Sequence, residues 1–384
     1  MKNERLTYGM VGGHNRAFIG DVHRKAISLD GRAVLAAGCF STNPEANRET
    51  GETWRLDPNR VYPDFETMAK EEAARSDKID FVIVTTPNYT HYAISKAFLD
   101  AGFHVVCEKP LCFTVEEAED LVKTAKEKNL IFGVTYTYTG YTMVKVAREM
   151  IANGKIGEIL NVNAEYAQDW LLDEVAEKGK AGGNKFSTWR MNPAIAGISN
   201  CTGDIGSHME NMIHYLTGLK IKRLLATLNR FGKESDLNAN ILVEYENGTN
   251  GGYWCSQVAS GHKNGLAVRI FGTEGSLEWE EETPDLLKFT PRNEASRILS
   301  RSSGYIGEKA AATGRIPAGH PEGYYIAFAN NYRNIISTVL SLKRGEKPTG
   351  TELDFQKAED GLNGVKFIHA VIESAACDSK WIEL

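Results

Sequence analysis

Two rhythms of apolar and polar residues divide the chain. Up to about residue 135, strand-length apolar runs alternate with helix-length amphipathic stretches, the mark of a parallel sheet with helices on its faces. The runs are Leu6–Val11, Ala33–Phe40, Phe81–Thr85, His104–Cys107 and Leu130–Thr135. Tyr89–Ala101 and Val115–Lys128 read as helices between them; in the second, Val115, Ala118, Leu121, Val122 and Ala125 recur at three- and four-residue steps. This predicts a doubly wound α/β unit. Farther along, apolar residues occupy every second position: Val162, Ala164 and Tyr166, then Ala239, Ile241, Val243 and Tyr245, then Leu266, Val268 and Ile270. An Asn247-Gly248 pair predicts a tight turn into a further strand running through Gln257. A period of two predicts a broad sheet with one covered face. Near the end, Phe355, Ala358, Leu362, Val365, Ile368 and Ile372 form a helical stripe suited to a core.

Composition narrows the class. A chain of 384 residues suggests two domains at roughly 150 residues each. With 42% hydrophobic and 24% charged residues, it matches a folded globular protein rather than a disordered or membrane-embedded one. No apolar run is long enough to span a bilayer, and the charged start, Met1 to Arg5, lacks the apolar core of a signal peptide, so a cytoplasmic location is expected. The net charge of −6 comes without a basic block, which argues against nucleic acid as a partner. The six cysteines form no CxxC pair and have no histidines at zinc-site spacing; they read as reduced thiols, with no metal site expected.

The first run leads into Gly12-Gly13-His14-Asn15-Arg16-Ala17. This is the place of the GxGxxG/A turn that receives a dinucleotide pyrophosphate, with His14 where the second glycine normally lies. Taken alone it is equally a Gly-rich turn between strand and helix. Its position, after the first strand and ahead of the first helix, puts expected cofactor contacts at Gly12, His14, Asn15 and Arg16. The second run ends at Ser41 and Thr42, where a carboxylate would bind a ribose 2′-hydroxyl and repel a 2′-phosphate. Without it either NAD or NADP is permitted, and with Arg48 a few residues on the balance tips slightly to NADP. The same residues could instead cap a helix starting near Pro44.

Phe81–Thr85 leads into Thr86-Pro87-Asn88 with His91 one turn into the next helix, and His104–Cys107 leads into Glu108-Lys109-Pro110. Open α/β sheets bind ligands at the carboxyl ends of their strands, so Thr86, Asn88 and Lys109 would share a crevice with the glycine turn. A lysine there can steady negative charge developing on a substrate oxygen, although a surface lysine before a turn-forming proline fits too. Asp204 and His208 are four apart, and a helix starting near Gly203 would set both on one face. A carboxylate beside an imidazole fixes its tautomer and stabilises the imidazolium that a general base becomes. A capping aspartate with an unrelated core histidine fits the same spacing.

Gly12, Thr86-Pro87-Asn88 with His91, Glu108-Lys109-Pro110 and Gly203-Asp204-Ile205-Gly206-Ser207-His208 together resemble the Gfo/Idh/MocA family over nearly the whole chain. The resemblance implies a nicotinamide-dependent oxidoreductase. An amino-terminal Rossmann domain would occupy residues 1–135, and a carboxy-terminal α/β domain with an open, mostly antiparallel sheet would occupy 136–384 for substrate binding and oligomerisation. It implies cofactor contacts from Ser41, Thr42, Thr86, Pro87, Asn88, His91, Glu108 and Lys109, and it maps Lys109, Asp204 and His208 onto the family's catalytic lysine, aspartate and histidine. The implied reaction passes a hydride between a ring secondary alcohol of a sugar, sugar derivative or cyclitol and the nicotinamide. His208 would take the hydroxyl proton, Lys109 steady the oxygen and Asp204 orient the imidazole. Family members commonly pair through the sheet, so a homo-oligomer, dimer or tetramer, is expected.

Tyr166-Ala167-Gln168-Asp169-Trp170 and Trp189-Arg190 look like the pyranose, levoglucosan-type dehydrogenase subgroup. Aromatic plates with amide and guanidinium donors suit a sugar, which adds Tyr138, Gln168, Trp170, Trp189 and Arg190 to Lys109, Asp204 and His208 as expected substrate contacts. Core packing explains the tryptophans as well. Tyr136-Thr137-Tyr138-Thr139-Gly140 departs from the Asn-Arg pattern common at that place in the family. His320-Pro321-Glu322-Gly323-Tyr324 reads as an ordered loop that closes over the site, crosses to another subunit, or caps the helix beginning near Tyr325. Two other classes share the fold: redox-assisted glycosidases that use bound NAD, and sensors of sugar or dinucleotide without turnover.

Overall fold

A computed structural model describes residues 4–176 and 187–384; Met1–Asn3, part of the charged start, lie outside them. The chain forms two compact units. One runs to Gly140 and takes in Tyr324–Leu362; the other consists of Tyr141–Gly323 and Asn363–Leu384. A single cut after residue 135 therefore gives way to a chain that crosses between units three times. The reason is the helix Tyr324–Lys343, whose Phe328, Ala329, Tyr332, Ile335, Ile336, Val339 and Leu340 join the core built by Leu6, Tyr8, Met10, Val22, Ile27, Phe81 and Ile83. Apolar periodicity marks such a helix as buried but not against which unit. The carboxy-terminal stripe divides in the same way, with Phe355, Ala358 and Leu362 in the first unit and Val365, Ile368 and Ile372 in the second.

In the first unit, strands β1 (Leu6–Gly12), β2 (Ala33–Cys39), β3 (Phe81–Thr85), β4 (His104–Cys107) and β5 (Phe132–Val134) pair in parallel in the order β2-β1-β3-β4-β5. Every residue of β3 is buried, as a strand between two helical layers requires, which is why it reads as an unbroken apolar run. The strand order reverses at β1, so the crevice for a ligand opens at the carboxyl ends of β1 and β3. The helix Phe65–Ala74 has no counterpart in the apolar pattern. Its inward face carries Glu72 beside Met68 and Ala69, and that carboxylate is held by Arg60 at 2.6 Å and by the Tyr62 hydroxyl at 2.9 Å.

The second unit holds a nine-stranded sheet of β6 (Ile159–Ala167), β7 (Ile221–Asn229), β8 (Asn238–Tyr245), β9 (Asn250–Ser256), β10 (Gly265–Gly272), β11 (Gly275–Glu280), β12 (Leu286–Pro291), β13 (Arg297–Ser300) and β14 (Ile382–Glu383). Their order is β13-β12-β11-β10-β6-β9-β8-β7-β14. All neighbours are antiparallel except β6 and β9. The period-two residues Val162, Ala164, Tyr166, Ala239, Ile241, Val243, Tyr245, Leu266, Val268 and Ile270 are all buried. The helix Ser207–Thr217 packs on β6 and β10. The opposite face is mixed rather than apolar: Leu242 is exposed, while Arg269 pairs with Glu165 at 3.3 Å and Lys288 with Glu278 at 2.9 Å.

The segment around His320 is fastened inside this unit. Buried Arg301 donates to the His320 carbonyl and pairs with Asp285 at 3.1 Å and Glu322 at 3.4 Å. Glu322 in turn accepts from the backbone N–H groups of Arg315 and Ile316 at 2.6 and 2.8 Å. Among the described residues, no helix is long and apolar enough to cross a membrane. Five of the cysteines are buried and Cys377 is exposed.

Candidate active site

The glycine turn joins β1 to the helix Phe18–Ser28 through bare backbone. Gly12 sits opposite Thr85 with φ +80°, and a Cβ on it would stand 3.0 Å from the Thr85 carbonyl and 2.7 Å from Thr86 Cγ2. Gly13 has φ +68°, and its nearest backbone neighbour is Gly20 in the helix. A Cβ on Gly20 would lie 2.3 Å from Gly13 Cα and 2.5 Å from its carbonyl oxygen. Gly20 therefore fills the place of the fingerprint's helix-packing glycine, which the sequence pattern put at Ala17. His14 adopts no positive φ and needs no glycine there. The available signal was an isolated glycine inside an amphipathic helix, which usually marks a close approach.

Beside this turn lies a groove of about 250 Å³ lined by His14, Asn15, Arg16, Asn43, Glu45 and Glu49. A cradle of side-chain-free backbone at a helix N-terminus, opening on a polar groove, fits a dinucleotide. The groove's cation is engaged: Arg16 meets Glu49 at 3.1 Å. Ser41 Oγ accepts from the Asn43 N–H at 3.1 Å, and Asn43, rather than Ser41 or Thr42, caps the helix Pro44–Thr53. Arg48 pairs along that helix with Glu52 at 2.5 Å.

At the ends of β3 and β4, Thr86, Asn88 and Lys109 are half-buried and Pro87 is exposed. Thr86 Oγ1 accepts from Thr90 at 2.7 Å. His91 is fully buried, with Nε2 2.9 Å from the Thr86 carbonyl and Nδ1 2.9 Å from the Pro110 carbonyl; burial lowers its pKa. Its ring thus ties the two strand ends together, a place from which it supports neighbouring groups instead of offering an open donor.

Glu108 is similarly committed. Its Oε1 lies 2.8 Å from His23 Nε2 and accepts from Thr135 at 2.6 Å, its Oε2 accepts from the Lys109 N–H at 3.2 Å, and Tyr332 holds the other nitrogen of His23. Burial alone would raise its pKa. The hydrogen bond and charge of His23, the charge of Lys109 and the Thr135 hydrogen bond outweigh burial and bring it from 4.5 to about 2. A carboxylate depressed on folding contributes stability that is complete above about pH 4.5 and lost as pH falls toward 2. The contribution is on the order of 3 kcal/mol. Glu108→Gln is therefore expected to unfold at lower urea than the parent at pH 7, with the gap narrowing between pH 5 and pH 3. A gap that stays constant over urea melts in that range would contradict the assignment. His23, Thr135 and Tyr332 escaped the sequence pattern because they come from three distant elements.

In the second unit, Thr202–Gly206 forms a π-helical turn that continues into the helix Ser207–Thr217. Asp204 lies in the wide turn and His208 in the first turn of the helix; π turns of this kind recur at functional sites. His208 is 7% exposed, with its ring centroid 6.1 Å from that of Tyr166. Asp204 Oδ2 accepts from Gln257 Nε2 at 2.9 Å and lies 3.7 Å from Arg190 Nε, whose guanidinium stands 4.4 Å over the Trp189 ring. Asp204, Arg190 and Trp189 are thus brought together.

A second cluster gathers on Asn264, which the sequence pattern did not single out. Tyr166 and Gln168 donate to its Oδ1 at 2.7 and 2.9 Å, and its Nδ2 donates to Glu281 at 2.9 Å. Trp170 Nε1 donates to Gln168 Oε1 at 2.9 Å, which fixes the indole and leaves it half-buried. Burial raises the pKa of Glu281. Tyr138 belongs to the first unit, is 6% exposed, and lies against Tyr324 with centroids 6.1 Å apart.

Residues 6–136 match the model of an oxidoreductase family with an NAD-binding Rossmann fold, and residues 144–278 match the Gfo/Idh/MocA C-terminal domain. The chain is 36% identical to the uncharacterized oxidoreductase YfiI of Bacillus subtilis (strain 168), covering 98% of this chain and 96% of that protein. It is 28% identical to levoglucosan dehydrogenase of Pseudarthrobacter phenanthrenivorans, covering 99% and 98%. An inositol dehydrogenase homolog from Azotobacter vinelandii complexed with NAD+ superposes with a TM-score of 0.93 at 37% identity over 99% and 98% of the two chains. Its complex with NADH and myo-inositol gives 0.91 at 36% over the same shares. With both halves matched in order, and with whole-length relatives at this identity, the chain belongs to the Gfo/Idh/MocA family of oxidoreductases.

Proposed function

We propose that the protein is an NAD-dependent dehydrogenase that oxidises a ring secondary alcohol of a sugar, sugar derivative or cyclitol. The observation that carries this reading is the π turn bearing Asp204, held by Gln257 and Arg190, one turn ahead of the shielded His208. Relatives named for levoglucosan and inositol support the substrate class. A bound nicotinamide dinucleotide would supply the hydride acceptor. His208 accepts the hydroxyl proton of the substrate at its imidazole. Asp204 stabilises the resulting positive charge, and Lys109 donates to the substrate oxygen and lowers the cost of charge there. Trp170, Trp189, Gln168 and Arg190 present apolar plates and donors suited to the faces and rim of a sugar. Gly12, Gly13 and Gly20 provide the pyrophosphate cradle.

The groove beside that cradle favours NAD over NADP, against the slight tilt that Ser41 and Thr42 give the sequence. Its lining sets two carboxylates, Glu45 and Glu49, against one guanidinium already paired with one of them. A 2′-phosphate would bring about two more negative charges into that setting. Ser41 Oγ and Asn43 Oδ1 act as acceptors in the turn and the helix cap, so the preference rests on the carboxylates of the groove.

A panel of pyranoses, glycosides, anhydrosugars and inositols, followed by absorbance of the reduced nicotinamide, tests both parts. Reduction of NAD with at least one cyclic polyol is expected, with NADH bound about tenfold tighter than NADPH, or more, in a fluorescence titration. Tighter NADPH would overturn the cofactor assignment. Aglycone release without net reduction would point to redox-assisted glycoside cleavage, and binding without turnover across the panel to a sensor.

A further inference from the structure

The carboxylate of Asp204 stands at the end of a buried amide relay. Gln257, fully buried, donates from Nε2 to Asp204 Oδ2 at 2.9 Å and accepts at Oε1 from Asn200 Nδ2 at 2.6 Å. An ionised carboxylate only accepts hydrogen bonds, so it forces the amide nitrogen of Gln257 toward itself and the amide oxygen toward Asn200. Asn200 is fastened from behind. Asp236, 1% exposed, takes four hydrogen bonds: at Oδ1 from Ser199 Oγ and the Asn200 N–H, both 2.8 Å, and at Oδ2 from the Thr202 N–H and hydroxyl at 2.8 and 2.9 Å. Ser199 Oγ accepts from the Gly203 N–H at 3.0 Å, and the Asp204 N–H donates to the Asn200 carbonyl at 2.7 Å. Side chain and backbone of the π turn are thus fixed by one network drawn from residues 199–204, Asp236 and Gln257.

A buried polar network specifies one geometry through the members that are satisfied; of the side-chain atoms named here, Asn200 Oδ1 is buried without a hydrogen-bond partner among the described residues, and the others are paired. None of its supports, Gln257, Asn200 or Asp236, belongs to the motif that carries Asp204 and His208. We propose that Gln257 is a positioning residue for the Asp204 carboxylate, holding it in one orientation toward the reacting site through the Asp236-anchored relay. This rests on the role given above to Asp204 and His208. Among the described residues, the charged or titratable groups near Asp204 include Arg190, His208 farther along the same helical segment, and the buried thiols Cys201 and Cys255, of which burial pushes Cys201 up.

Two variants of similar shape test it: Gln257→Met, which removes both hydrogen bonds, and Gln257→Glu, which sets a second carboxylate against Asp204. Both are expected to bind NADH as the parent does. Their kcat should fall about tenfold or more, with KM for the alcohol changing far less. In Gln257→Glu the acid limb of the kcat/KM profile should also move up by about one pH unit. Should the methionine variant not fold, the glutamate variant carries the pH measurement alone. Losses that only track the folded fraction, with the acid limb unmoved, would make Gln257 a packing residue and overturn the proposal. Asp204→Asn separates the two levels. If it keeps full activity, the role of Asp204 itself falls; if it loses activity while both Gln257 variants keep theirs, only the positioning role does.

Discussion

His208→Ala is expected to lower kcat for the alcohol substrate by about a thousandfold while leaving the dissociation constant of NADH unchanged. A positioned general base contributes roughly 10²–10⁴-fold, and the alanine variant leaves only water to accept the hydroxyl proton. The imidazole is 7% exposed and faces the Tyr166 ring, so little bulk water reaches it to substitute. His208→Gln, which keeps a polar group but no base, should lose nearly as much. The separation of effects matters more than the size of the loss. The cofactor cradle lies in the first unit and His208 in the second, so a change confined to the base should appear in turnover and not in an NADH fluorescence titration. Turnover near the parent's with cofactor still bound would remove His208 from the role of base.

What the sequence disclosed and what it hid follow from how each feature is encoded. Strands such as β3 and β8 were legible because burial acts on neighbouring residues and writes a local period. The turn residues Gly12 and Gly13 and the motifs at Thr86, Lys109 and Asp204 were legible because they are contiguous. The supports were not. His23 and Thr135 meet on Glu108, and Tyr332 on His23, from across the first unit, and Gln257 reaches Asp204 from 53 positions away. A buried histidine or glutamine has no period and no flanking signal; only the fold states what it faces. The proposed cofactor preference differs from the slight tilt of the sequence for the same reason. Ser41 and Thr42 are adjacent to the expected ribose position in sequence, whereas Glu45 and Glu49 come to the groove because a helix capped by Asn43 turns them toward it.

Gly20→Ala is expected to be among the most damaging single substitutions in the first unit. One added methyl would stand 2.3 Å from Gly13 Cα and 2.5 Å from its carbonyl oxygen. Both are backbone atoms, so no rotamer change relieves the clash, and either the helix Phe18–Ser28 or the glycine turn must move. Overpacking of this kind costs about 3 kcal/mol or more when backbone must shift. A loss of that size corresponds to a fall of about 10 °C in Tm for a unit this large. Displacement of the helix has two further consequences. It withdraws the turn that would approach the pyrophosphate, so NADH affinity should fall by roughly a hundredfold. It also carries His23 away from Glu108, with which it now makes a 2.8 Å contact, so the stability difference between pH 7 and pH 4 that Glu108 provides should shrink as well. Ala17→Gly is the control: it supplies a glycine where the fingerprint would place one, yet the close approach is made elsewhere, so NADH binding and Tm should change little. Thermal unfolding and NADH titration of the two variants side by side decide the matter. An alanine at position 20 that melts and binds like the parent would mean that strand and helix do not approach through bare backbone here.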